Sequence, residues 1–271
     1  MLHLFCNGEF YMGLLKNDYG WALFAGLSCM FGFAPFGIFP VPLLALAVLF
    51  ALWQRAATPR KAAGLGWAFG LGLLSGCMGG IYIAIHVYGD MPWLLALLAT
   101  LLFAGFCALL PGLAGYLQAR FSLANRTETN LPGTNWSVAN CLRLTLIMPA
   151  MWVLFEWVRG LLFTGFPWLT LGYSQSDTPL AGYAPVLGVY GVSLIMAISS
   201  GVLAWLLETV WRRNELTSAR SARGRWLLGL SVLLLPWIGG AVLRTVAWTQ
   251  LYGEPFSVAL VQGNIAQNLK F

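Results

Sequence analysis

Two ionisable side chains, Glu156 and Arg159, stand three residues apart inside an otherwise apolar run over 144–163. On a helix that spacing puts both on one face. Charged groups at membrane depth are costly, so they pair with each other or face a polar cavity. Two readings are open: a functional site, or a structural ion pair that snorkels to the outer interface. The segment 163–175 follows, with Phe163, Phe166, Trp168 and Tyr173 interleaved with Thr164, Thr170, Ser174 and Gln175. Residue types alone allow an amphipathic anchor or a mouth for lipid or substrate. His86 lies beside Tyr82 and Tyr88, and the other histidine is His3. A zinc site needs about three or four ligands, so His86 reads as a hydrogen-bonded interfacial residue, and neither metal nor cofactor is expected. The five cysteines are odd in number, and Cys29, Cys77 and Cys107 sit inside apolar runs, against a disulfide framework.

The elements that must position these residues follow from composition. Of 271 residues, 59% are hydrophobic and 9% charged, against roughly 25% charged in a soluble domain. The pattern predicts an all-α polytopic membrane protein with seven spans, at 21–36, 40–53, 62–87, 93–117, 144–163, 186–211 and 226–243. The net charge of +6 does not point to nucleic acid. Twelve of the 15 cations fall in the N-terminal tail and three connecting loops, including Lys16, Arg60, Lys61, Arg126, Arg143 and Arg213. All four groups come to one side of the bilayer if the chain weaves through it, as the positive-inside rule requires.

The third span carries Gly66-x-x-x-Gly70 and Gly72-x-x-x-Gly76-x-x-x-Gly80, a spacing for close helix packing without chemistry. The polar stretch 118–143 reads as a cytoplasmic loop, and 164–187 as an outer loop, partly re-entrant. With the tail inside, seven spans leave the C-terminus outside. The last piece, 257–262, is β-prone and too short to span, so it reads as a first strand without a sheet. The domain reading is a cytoplasmic tail at 1–20, a transmembrane helical domain at 21–243, and the start of a soluble domain at 244–271.

Several motifs, in order along nearly the whole chain, carry a resemblance. They are Phe33-Ala34-Pro35-Phe36-Gly37 through Pro40, Glu156-Trp157-Val158-Arg159-Gly160, and Thr164-Gly165-Phe166-Pro167-Trp168 with Leu171-Gly172-Tyr173-Ser174-Gln175. The last is Val261-Gln262-Gly263-Asn264-Ile265 with Gln267 and Leu269-Lys270. Together the sequence resembles the bacterial apolipoprotein N-acyltransferases. That resemblance implies a multi-pass protein of the bacterial inner membrane, N-terminus cytoplasmic and C-terminus periplasmic. It implies an enzyme that moves an acyl chain from a phospholipid to the amine of a lipoprotein's N-terminal diacylglyceryl-cysteine, through a thioester acyl-enzyme. It further implies an α/β nitrilase-like periplasmic domain, of which 244–271 would be the start.

The Glu–Lys–Cys triad implied by the resemblance maps to no residue here, so the chain is expected to be incomplete and inactive alone. Phe271 stands where the family pattern has tryptophan after Leu269-Lys270. Glu156, Arg159, Trp168, Tyr173, Gln175 and Phe271 are the candidate substrate-contacting residues, with none assigned as catalytic. The expected partners are a phospholipid donor, an apolipoprotein acceptor, membrane lipid, and no nucleic acid. One rival is a non-catalytic anchor for a separately encoded nitrilase-like domain. A small transporter is another, although transporters show internal repeats with broken helices and none is found in this sequence.

Overall fold

A chain in lipid must satisfy its own backbone hydrogen bonds, which leaves helices as the main solution for runs as apolar as these. The computed structural model describes residues 17–124, 138–211, 219–250, 252–254 and 256–265. It forms α1 (Asp18–Ser28), α2 (Pro40–Arg55), α3 (Pro59–Cys77), α4 (Gly79–His86), α5 (Trp93–Cys107) and α6 (Leu109–Ala124). There follow α7 (Val138–Leu142), a π-helical turn (Arg143–Ile147), α8 (Met148–Leu161), α9 (Ala184–Trp211) and α10 (Ala219–Leu243). Local chemistry sets the starts. The Asn17 side chain accepts the Gly20 N–H at 3.0 Å and Thr58 accepts that of Lys61 at 3.2 Å, while α2 and α3 each begin on a proline.

Four helical stretches are long and apolar enough to cross a membrane: Trp93–Phe121, Asn140–Thr164, Pro179–Glu208 and Gly224–Leu243. A fifth is gained if α3 and α4, bent by 55° at their junction, count as one. Among the described residues the all-helical membrane character holds, with four or five stretches of this length where seven spans were expected. The first two predicted spans are helical, but α1 has 11 residues and α2 has 16, and 16 residues reach only about 24 Å against a hydrocarbon core of about 30 Å. The break in the third falls where Gly79 and Gly80 follow Met78, a glycine pair with little helix propensity.

The predicted strand is not formed among the described residues. Residues 256–265 have no regular secondary structure, with Leu260 and Val261 each 93% exposed, because no neighbouring strand completes a ladder. Both ends of the stretch predicted as a polar loop at 118–143 are helical, since α6 runs to Ala124 and helix is present from Val138, and 125–137 lie outside the described residues. Arg143, expected among the loop cations, is buried instead. Its Nε and Nη2 donate to Gln118 Oε1 at 3.1 and 3.0 Å, Nη1 to Gln54 Oε1 at 3.1 Å, and Nη2 to the Trp53 carbonyl at 3.3 Å. These bonds compensate the burial of the guanidinium and tie α2 and α6 to the π turn.

The centre of the bundle is α3, packed between α1 and α6. The glycine pattern resolves into two stripes. A Cβ at Gly72 would overlap the Leu23 carbonyl oxygen and one at Gly26 that of Phe69, so α1 and α3 touch backbone to backbone. On another face, a Cβ at Gly66 would overlap the Pro111 carbonyl and one at Gly115 that of Ala62. Gly80 has open space around it and takes no part. Around this centre Phe50, Trp53, Leu65, Phe69, Leu144 and Met148 are fully buried. The outward face of α5, with Leu94, Leu95, Leu98 and Leu102 exposed, is the surface that suits lipid.

Candidate functional site

One face of α8 carries Met148, Trp152, Phe155, Glu156 and Arg159, all buried. Met148, Trp152, Glu156 and Arg159 recur at three- and four-residue steps, as a single helical face demands, with Phe155 at its flank. Beyond α8 the chain does not form a straight helix. It makes three 3-10 turns, Leu162–Thr164, Leu171–Gln175 and Pro179–Tyr183, before α9 begins. The backbone reverses through positive φ at Phe163 (52°), Thr164 (74°) and Gly165 (91°), and again at Leu169 (61°). Only glycine takes such angles freely, so Phe163, Thr164 and Leu169 are held there by their surroundings. At Gly165 a Cβ would also overlap the Gly160 carbonyl.

Glu156 is one of the groups that hold the loop. Its Oε1 accepts the Leu171 N–H at 2.9 Å, and the Gly172 N–H donates to Ser193 Oγ on α9 at 2.7 Å. These amides open a 3-10 turn and would otherwise lack acceptors. The Phe166 N–H returns to the Arg159 carbonyl at 2.8 Å. Gln175 is fully buried. Its Nε2 donates to Ser174 Oγ at 2.9 Å and meets Met196 Sδ at 3.5 Å, while Oε1 accepts from Thr178 Oγ1 at 3.3 Å. At the far edge, Arg244 just past α10 donates to the Asp177 and Thr178 carbonyls, each at 3.3 Å.

Two cavities meet at Arg159. The inner one, about 20 Å³, is lined by Cys107, Trp152, Glu156 and Arg159 among apolar neighbours. Trp152 Nε1 and Glu156 Oε2 are buried there without a hydrogen-bond partner. The outer one, about 270 Å³, lies between the α5–α6 junction and the turn after α8, walled by Phe103, Phe106, Leu109, Phe163 and Phe166 with Arg159 as its charged member. Its rings interlock. Phe103 meets Phe166 edge to face at 5.1 Å, and Phe106 and Phe163 lie 6.1 Å apart. Among the described residues Arg159 has no ion pair within 4 Å and no side-chain hydrogen bond, and its electrostatic neighbours are Glu156, Cys107 and Tyr190.

Of the residues singled out in the sequence, Glu156 and Arg159 share one buried face, as their spacing requires. Trp168, half exposed, continues the aromatic row at 5.5 Å from Phe166. Tyr173 is half exposed and lines neither cavity. Gln175 faces inward among its own loop contacts, and Phe271 lies outside the described residues. His86 bonds through Nδ1 to the Met91 carbonyl at 2.7 Å and packs on Tyr82. Phe103, Phe106, Trp152 and Ser193 were not foreseen. Trp152 could have been, lying one helical turn before Glu156, whereas the two phenylalanines sit in an apolar run that marks no single position.

Comparison with known proteins adds a second line of evidence. Residues 25–202 match the family described as apolipoprotein N-acyltransferase N-terminal domain. A curated relative from Nitrosomonas europaea, named apolipoprotein N-acyltransferase, is 41% identical over 247 residues, covering 91% of this chain and 44% of the relative. Proteins of the same name from Methylococcus capsulatus and Coxiella burnetii are 38% and 39% identical, each over 92% of this chain and over 44% and 46% of their own lengths. The chain thus spans less than half the length of these relatives.

Proposed function

Because the chain belongs to the apolipoprotein N-acyltransferase family, through that family's N-terminal domain, we propose that it forms the membrane part of an enzyme that N-acylates lipoproteins. The donor is a membrane phospholipid and the acceptor the amine of an N-terminal diacylglyceryl-cysteine. The protein lies in the bacterial inner membrane with the loop after α8 on the periplasmic side. Its transmembrane domain occupies 21–243, and 244–271 lead into a nitrilase-like domain that carries the chemistry. On their own, residues 1–271 transfer no acyl chain, because the implied triad maps to none of them.

One arrangement supports this reading. The aromatic cavity with Arg159, the 3-10 loop and the chain emerging after α10 are gathered at one end of the bundle, the last two joined by Arg244. A lipid held in that cavity would stand beside the segment that leads to the catalytic domain. Glu156 and Trp168 are positioning residues in this scheme: one fixes the loop, the other extends its aromatic edge. The test joins these residues to a family nitrilase-like domain and measures acyl transfer from phospholipid to a diacylglyceryl-cysteine peptide. Glu156→Ala combined with Trp168→Ala should lower kcat/KM for the phospholipid at least tenfold while the protein still folds. Unchanged turnover would overturn the mouth assignment.

A further inference from the structure

We propose that the outer cavity is a glycerophospholipid site in which Arg159 holds the phosphate and one acyl chain lies along Phe103, Phe106, Phe163 and Phe166. The inference rests on the reading above and goes beyond it by giving the phosphate a named partner.

The first ground is the state of Arg159. Its side chain is 7% exposed, lines both cavities and donates no hydrogen bond to a described residue. A guanidinium carries five N–H donors, and those of Arg159, which no described residue accepts, are left for whatever enters the cavities it lines. Glu156, the obvious partner, is engaged elsewhere. Its Oε1 accepts the Leu171 amide, its Oε2 belongs to the inner space, and neither oxygen lies within 4 Å of Arg159. The charge that faces the outer cavity is therefore positive.

The second ground is the wall. Apart from Arg159 and Cys107, the outer cavity is lined by phenylalanine, leucine and glycine. Phe106, Leu109 and Phe163 are 50%, 55% and 77% exposed, so the cavity opens on the lipid-like flank of α5 and α6, where a hydrocarbon chain can enter from the bilayer. The third ground is depth. Arg159 stands in the last turn of α8, within about 5 Å of the helix end, the level at which headgroups meet hydrocarbon. A planar guanidinium there suits a phosphate, which it can grip through two parallel bonds.

The test uses the full chain in dodecyl maltoside micelles, which carry no phosphate. The probe is phosphatidylglycerol with a diazirine midway along one acyl chain, and adducts are mapped by peptide mass spectrometry. Label should fall on residues 103–110 and 162–166, at least about tenfold above that from diacylglycerol with the same chains, as loss of a charge-assisted bond implies. Arg159→Gln should bring labelling down to the diacylglycerol level and Arg159→Lys should retain part of it. Phe163→Ala, at an exposed wall position, should lower labelling several-fold with the charge intact. If Arg159→Gln fails to fold, the wild-type lipid comparison and Phe163→Ala decide the matter.

Equal labelling by diacylglycerol, or adducts scattered over the bundle, would overturn the proposal. A fatty acid that displaces the probe as well as unlabelled phosphatidylglycerol would overturn it in favour of a carboxylate ligand. Failure here, with acyl transfer intact in the joined protein, removes the phosphate site and leaves the function standing. Specific labelling without any acyl transfer in the joined protein does the reverse.

Discussion

At the scale of single residues, Glu156 illustrates how a charge inside an apolar helix acquires its use. The i, i+3 spacing to Arg159 made the shared face legible, but spacing says nothing of what lies opposite, and opposite Glu156 lies a loop amide. Replacing Glu156 by Leu leaves the Leu171 N–H buried without an acceptor, a loss of about 1–3 kcal/mol. Glu156→Gln keeps an acceptor and should lose less. Thermal unfolding in detergent should rank wild type above Glu156→Gln above Glu156→Leu, and an equal loss for both would show that charge, not the hydrogen bond, is what matters. Arg143 teaches the complementary lesson. Counted with the loop cations, it is buried against Gln54, Gln118 and a carbonyl. Polar composition around a helix end does not reveal how far the helix continues. Arg143→Met should therefore cost stability on the order of 2–4 kcal/mol by taking the donor from buried Gln118 and half-buried Gln54, where removal of a solvated loop charge would cost almost nothing.

At the scale of elements, helix order was readable because apolar runs separated by glycine, proline and charge leave few alternatives. The number of membrane-crossing helices was less so. The α1 and α2 runs are apolar yet short, and a glycine pair bends α3 away from α4. The predicted strand is not seen among the described residues, since β-prone residues need a partner strand that no described segment supplies. The glycine spacing was read as close packing, and the structure divides that packing between α1 and α6, something a one-dimensional pattern does not contain. Gly72→Leu should separate α1 from α3, and Gly66→Leu should separate α6 from α3, each costing about 3 kcal/mol or more by overpacking against backbone. Gly80→Ala, with open space around it, should stay within about 0.5 kcal/mol of wild type. Loss of stability at Gly80 comparable to that at Gly72 would show that the stripe is continuous after all.

At the scale of the whole molecule, the orientation proposed above, with the Lys- and Arg-rich connections on the cytoplasmic side, follows the positive-inside rule. With native cysteines replaced, a thiol at Arg60→Cys should react with a membrane-impermeant maleimide only after the inner membrane is opened. One at Tyr252→Cys, where the native side chain is fully exposed, should react in cells whose outer membrane alone is permeabilised. The opposite pattern would invert the topology. The bonds from Arg244 to the Asp177 and Thr178 carbonyls bear on how the rest of the chain moves. They hold the start of the following segment beside the loop, past the end of the last helix. Anything attached ten residues beyond Arg244 can then lie no farther than about 35 Å from Arg244. Over so short a radius, encounter with the loop is an intramolecular event at millimolar effective concentration, and Arg244→Ala, by removing the guanidinium that holds the loop, would loosen that approach.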